Sequence, residues 1–186
     1  MNTETGRTLI AIARNAIAQR LGLETPASAF DADWLRTTGA TYVTLLREGK
    51  LRGSTGTLQA HRTIAEDVMA NAVAAACNDL RFTPLTGDEF PQTRIEICVL
   101  SAVEPLAAAD EAVVVSKLRP GIDGAIFEYG RHRSHFLPQM WDQSANPQEF
   151  LAQLKYKAGL PPDFWSKDVK VARYTASLWR EADLNR

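Results

Sequence analysis

The chain lacks the features that would assign it to a specialised class. Of 186 residues only two are cysteines, Cys77 and Cys98, with no CxxC pair and no Cys/His spacing of a metal site. That excludes a disulfide scaffold and a zinc module, and it points to a reducing cytoplasm with both thiols reduced and buried. Long apolar runs are missing too. The stretch 72–77 is among the longest, far short of the ~20 residues a membrane-spanning helix needs. The apolar piece 9–13 is broken by Arg14, so the N-terminal region does not read as a signal peptide. An excess of one charge is also absent: 21 Lys+Arg stand against 22 Asp+Glu, a net charge of −1. Nucleic acid or anionic lipid held by overall charge is thereby disfavoured. There is no internal repeat and no low-complexity tract.

What is present is ordinary for a folded domain: 45% hydrophobic and 23% charged residues, enough chain for one domain or one domain with two lobes. Residues 1–21 read as a helix, with Ile10, Ala13, Ile17 and Leu21 on one stripe and Gly22 as its stop. Residues 23–30 read as a loop and 31–36 as a short helical turn. Strands are expected at 40–47 and 51–58, joined by the turn Glu48-Gly49-Lys50. Thr63 and Glu66 have the capping-box spacing and open a helix to about residue 79; Thr86 and Glu89 repeat the spacing before a shorter turn. A strand is expected at 94–104, a weaker helix at 110–118, and a hairpin of 124–129 and 134–137 around residues 130–133. Asn146-Pro147 opens a helix that ends at Gly159. A long strand at 169–179 follows. The sum is an α+β fold of roughly six strands, mostly in hairpins.

Four motifs, in order, carry a family resemblance. Leu51-Arg52-Gly53-Ser54-Thr55-Gly56-Thr57 comes first, followed by Asp79-Leu80-Arg81-Phe82-Thr83-Pro84 and then Leu137-Pro138-Gln139. Phe150-Leu151 with Lys157-Ala158-Gly159-Leu160 completes the set. Over about residues 5 to 182 the chain resembles the AMMECR family, whose prokaryotic members are called AmmeMemoRadiSam system protein A. The resemblance implies a single AMMECR-like domain, α+β, with an antiparallel sheet flanked by helices and two unequal lobes with a cleft between them. It implies no settled reaction, and it leaves any cofactor unknown. It does imply an accessory role beside a Memo-like protein and a radical S-adenosylmethionine protein. The family signature usually has cysteine and isoleucine where Ser54 and Thr55 stand here. Chemistry that used the cysteine as nucleophile or ligand would be closed to this chain, because a hydroxyl is a far poorer nucleophile without an activating base.

Two readings of residues 52–56 stand side by side. In one, Gly53 and Gly56 admit a ligand to the backbone, Arg52 neutralises its charge, and Ser54 and Thr55 donate hydrogen bonds, with Arg81 and Gln139 as secondary ligand-binding residues. In the other, the segment is a bulged strand, its glycines permit close packing, and Arg52 pairs with a structural carboxylate. Asp79 and Arg81 likewise read as a cleft pair or as a structural ion pair. His132 and His135 fit a solvated hairpin tip better than a metal site. His61 as a base for Ser54 lacks an orienting carboxylate. Arg47, Lys50, Arg52, His61 and Arg62 form a basic cluster without interleaved aromatics, which disfavours nucleic acid. Trp141, beside Leu137-Pro138-Gln139, is the aromatic expected to line a pocket. Catalytic residues are not identified and no metal is expected. The functional expectation is a cytoplasmic protein that binds a small anionic or polar ligand in the cleft between its lobes; the alternative is a non-catalytic protein-interaction adaptor, with nucleic-acid binding a weaker third.

Overall fold

The computed structural model describes residues 3–25, 30–107 and 110–184. Residues 1–2 of the expected first helix and 26–29 of the expected loop lie outside the described residues. The chain divides into two compact units, one of residues 1–100 with 177–186, the other of residues 101–176.

The first unit begins with helix α1 (Thr3–Arg20), which buries Leu9, Ile10, Ala13 and Ile17, the stripe read from the sequence. After a 3₁₀ turn (Asp33–Arg36) come strands β1 (Thr38–Arg47) and β2 (Lys50–Gly56), joined by a two-residue turn at Glu48 and Gly49. Both turn residues have positive φ, 52° and 74°, the geometry whose twist matches a tight hairpin. A two-residue strand β3 (Arg62–Thr63) leads into helix α2 (Ile64–Cys77), opened by the expected capping box. Strand β4 (Thr93–Leu100) and, from the far end of the chain, β9 (Ala176–Arg180) complete the antiparallel sheet β2-β1-β4-β9, with β3 beside the start of β1. Helices α1 and α2 cover one face. Alanines at 72, 75 and 76 let α2 approach the sheet closely, over Val43, Leu45, Ile95 and Ile97. A short helix α5 (Glu181–Leu184) is pinned by buried Glu181, which accepts from both Arg14 and the Ile95 amide.

The second unit holds the antiparallel sheet β5-β8-β6-β7: β5 (Glu104–Leu106), β6 (Gly124–Tyr129), β7 (His132–Phe136) and β8 (Lys170–Tyr174). Helix α3 (Glu111–Lys117) is capped by Asp110, and α4 (Pro147–Lys157) by Asn146, as their sequences indicate. Its core is built around Phe127, Phe150, Leu151, Leu154 and Val171. No helix among the described residues is long and apolar enough to cross a membrane.

Three expectations need correction. The strand expected at 94–104 is two strands, β4 and β5, in different sheets. The one expected at 169–179 is likewise β8 and β9. Both breaks fall together: the Ser101 amide donates to the Thr175 carbonyl and the Thr175 amide to the Ser101 hydroxyl. The alternation of Ile95, Ile97, Val99 and Val103 runs past the first break at Ser101, and no glycine or proline marks the second at Thr175, so the residues do not reveal either. Finally, Trp141 is a core residue, stacked on Phe150 with centroids 3.9 Å apart and donating its indole N–H to the Asp123 carbonyl at 2.6 Å.

Candidate functional site

The signature segment is a strand at the edge of a sheet, not a loop. Register across the hairpin runs Arg47 with Lys50 and Leu46 with Leu51, then shifts, so that Leu45 faces Gly53 and Thr44 faces Ser54. Arg52 is the extra residue of a β-bulge, which re-aims its side chain. Its guanidinium lies side-on to Glu89, with Nε 3.2 Å from Oε1 and Nη2 2.9 Å from Oε2, and its side chain is only 11% exposed. Arg47 donates to the same carboxylate at 2.7 Å, as do the amide and hydroxyl of Thr86. The bulged-strand alternative therefore describes the local geometry.

The glycines follow from packing. A Cβ at Gly53 would stand 2.1 Å from the Ala75 carbonyl oxygen in α2, and one at Gly56 would stand 1.8 Å from the Tyr42 ring. Tyr42 thus lies flat over the glycine opposite it, and its phenol hydrogen-bonds the Ser54 side chain. The Ser54 amide points away from β1 to Asp79 Oδ2, 2.9 Å away, as at a non-hydrogen-bonded pair, where facing side chains come closest. The hydroxyls of Thr44 and Ser54 accordingly meet at 3.1 Å. Asp79 also accepts from Arg81 Nε at 2.9 Å and Nη2 at 2.7 Å. The Phe82 ring lies between the two arginines, its centroid 5.9 Å from Arg52 Cζ and 5.6 Å from Arg81 Cζ.

Of the residues expected to act together, Ser54 and Arg81 share this edge. Thr55 does not: strand alternation turns it to the opposite face, paired with Val43. Gln139 belongs to the second unit, half-buried on a 3₁₀ turn (Pro138–Gln143). His61 pairs with the Gln59 carbonyl, whereas the Ser54 hydroxyl is engaged by Thr44 and Tyr42. His132 bonds the Ala158 carbonyl. The His135 imidazole is pushed down to about 4 by burial, with Lys157 and Arg133 adding to the shift. Among the described residues no group of three His, Cys, Asp or Glu side chains could hold a metal ion. Cys98 is buried and Cys77 half-buried, with no disulfide between them. Tyr42, Thr44 and Glu89 are contributors that sequence reasoning left out of the site. The i, i+2 spacing of Tyr42 and Thr44 on an expected strand was the available signal.

The electrostatics provide no activation of Ser54. Arg81 holds the Asp79 carboxyl well below the usual carboxylate range, reinforced by the Ser54 amide. Burial pushes the Tyr42 phenol up, so it stays protonated at neutral pH. Neither is a base for the Ser54 hydroxyl at that pH. Arg52 lowers Glu89 to about 2, against 4.5 for a free carboxyl. A carboxyl depressed in the folded state stabilises the fold above its unfolded pKa, and that contribution is lost as pH falls through the folded value. Glu89→Gln is expected to cost about 2 kcal/mol at pH 7, after discounting for partial solvent screening. Urea midpoints of the two proteins should converge between pH 4.5 and pH 2; a gap independent of pH would refute this role for Glu89.

Together these features define an α+β protein of two antiparallel sheets with a polar cluster on one sheet edge. The AMMECR1 family model matches residues 10–179, and the chain belongs to that family. A protein of Methanothermobacter thermautotrophicus is 35% identical over 189 residues, covering 97% of this chain and 96% of the relative. One from Sulfolobus acidocaldarius is 33% identical, covering 100% and 85%. The crystal structure of an uncharacterized protein from Pyrococcus horikoshii superposes with a TM-score of 0.88 at 32% identity, covering 97% and 93%.

Proposed function

We propose that this AMMECR1-family protein is a cytoplasmic binding protein for a small ligand with an anionic or strongly polar group, held at the outer edge of β2 by Arg81, Ser54 and Tyr42. The observation that carries this is the disposition of Arg81. Asp79 takes its Nε and Nη2, while the side chain is 58% exposed and Nη1 meets no acceptor among the described residues. A guanidinium held side-on by one carboxylate keeps a second edge for another anion. The hydrogen-bonded hydroxyls of Tyr42, Ser54 and Thr44 lie beside it and make that edge polar. Arg52 acts through Glu89, fixing the bulge that brings Ser54 opposite Thr44.

The test is an amide-shift titration with inorganic phosphate and with acetate. Shifts should concentrate at residues 42, 54 and 79–82. Arg81→Ala should weaken binding at least about tenfold, compared at a temperature where both proteins are fully folded, because the change also removes the charged partner of Asp79, whose side chain is only 7% exposed. Equal binding by the variant, or shifts centred elsewhere, would overturn the reading.

A second reading, a non-catalytic adaptor, is favoured by one feature: Leu80 is fully exposed between Asp79 and Arg81. The Memo-like and radical S-adenosylmethionine proteins implied by the resemblance are the candidate partners under either reading. Leu80→Asp should abolish co-purification of such a partner if the adaptor reading holds. Nucleic acid is the weaker idea, because Arg47, Arg52, Arg62 and Arg133 are each already paired with a carboxylate.

A further inference from the structure

The second unit contains a lysine where its helix should carry an apolar residue. The buried face of α4 reads Phe150, Leu151, Leu154, Lys155. The Lys155 side chain is 0% exposed. A buried ammonium is costly unless paired and hydrogen-bonded. Here Nζ has one acceptor among the described residues, Glu111 Oε1 at 2.7 Å, although an ammonium has three donors. The partner is itself 35% exposed and belongs to the seven-residue helix α3.

Glu111 also lines a groove. A depression of about 540 Å³ is walled by Glu111, Ala112, Val115 and Ser116 of α3 and by Gln148 in the first turn of α4. The four α3 residues fall at i, i+1, i+4 and i+5, one helical face. The lining is apolar at Ala112 and Val115 and polar at its ends. The Ser116 hydroxyl donates back to the Val113 carbonyl, leaving its oxygen lone pairs toward solvent. The buried charge therefore communicates with the groove through one half-exposed carboxylate.

We infer that this groove is a binding site for a small organic carboxylate with an apolar tail, whose carboxylate takes the place of Glu111 on the Lys155 ammonium. Glu111 holds that place in the unliganded protein. The ligand carboxylate makes the same charge-assisted bond, and its tail covers Ala112 and Val115. Opposite charge at Lys155 selects an anion. The apolar wall selects a tail over inorganic anions. The Gln148 amide is within the lining as a further donor. A break with the binary pattern at a buried position is where functional constraint is expected to show. No part of this rests on the edge of β2.

The experiment is chemical rescue with butyrate. Glu111→Ala leaves the ammonium buried without a counter-charge and should lower the thermal midpoint. Butyrate should restore it saturably, acetate more weakly, and chloride at equal ionic strength not at all. In the Glu111→Ala, Lys155→Met double variant the butyrate effect should vanish. Should Glu111→Ala fail to fold, Glu111→Gln serves, since it keeps the volume and removes the charge. In the unaltered protein, butyrate should shift the amides of residues 111–116 and 148, with affinity at least about tenfold weaker than in the Glu111 variant. Rescue by chloride, rescue that survives Lys155→Met, or no saturable rescue in either Glu111 variant overturns the proposal.

Discussion

Replacing Asp67 by Ala is expected to lower the stability of this protein by about 4 kcal/mol, or roughly 10 °C in thermal midpoint. The side chain is completely buried and accepts six hydrogen bonds. Oδ2 takes the Thr41 amide at 2.8 Å, the Thr41 hydroxyl at 2.7 Å and the Asn71 amide group at 2.9 Å. Oδ1 takes the Thr57 hydroxyl at 2.8 Å and two nitrogens of Arg62, at 3.1 and 2.7 Å. One carboxylate thus joins α2, β1, β3 and the segment after β2. Removing it leaves five donor groups without this acceptor, those of Thr41 and Asn71 buried and those of Thr57 and Arg62 partly so. The cost is the desolvation of those donors in addition to the lost attraction. Asp67→Asn retains the volume but turns an NH₂ against other donors, so it too is destabilising. Urea unfolding measures both, and a cycle with Arg62→Ala isolates the charged pair. A loss under about 1 kcal/mol for Asp67→Ala would mean that water replaces the carboxylate and that the network is not the tie described.

The second large effect is Gly53→Ala, expected to cost about 3 kcal/mol through overpacking. The added methyl would meet the Ala75 carbonyl oxygen at 2.1 Å, so strand and helix must separate. Because the obstacle is a backbone atom, Ala75→Gly in the same chain should not rescue it. The comparison also separates two roles for the signature glycine. A glycine kept to admit a ligand would lose binding and keep its stability when given a methyl. One kept for helix–sheet contact loses stability first, in urea and heat alike. Full stability of Gly53→Ala would remove the packing explanation.

Local physical chemistry made much of the fold legible. The capping boxes at Thr63 and Thr86 depend on residues three apart, and both form. The stripe of α1, the tight turn at Glu48 and Gly49, and the Asn146-Pro147 start of α4 are similarly short-range. The strands at 94–104 and 169–179 misled because the alternation of 95–103 runs past Ser101 and no glycine or proline interrupts 169–179, although the chain changes sheets at both places. The site was harder. Counting back from the two-residue turn puts Thr44 opposite Gly53; the bulge at Arg52 moves the register by one and brings Ser54 there instead. A one-residue shift changes which side chains meet, and nothing local in the residues announces it.

The sequence by itself determined the α+β class, the helix boundaries and the family, because those follow from periodicity, capping and motifs within a few residues of one another. Only the tertiary structure decided the partners of each charge: Arg52 with Glu89, Arg62 with Asp67, Lys155 with Glu111. Those pairs join residues whose meeting depends on how helices, strands and turns pack. A charge in a sequence states what it would attract, and the fold determines what comes within reach.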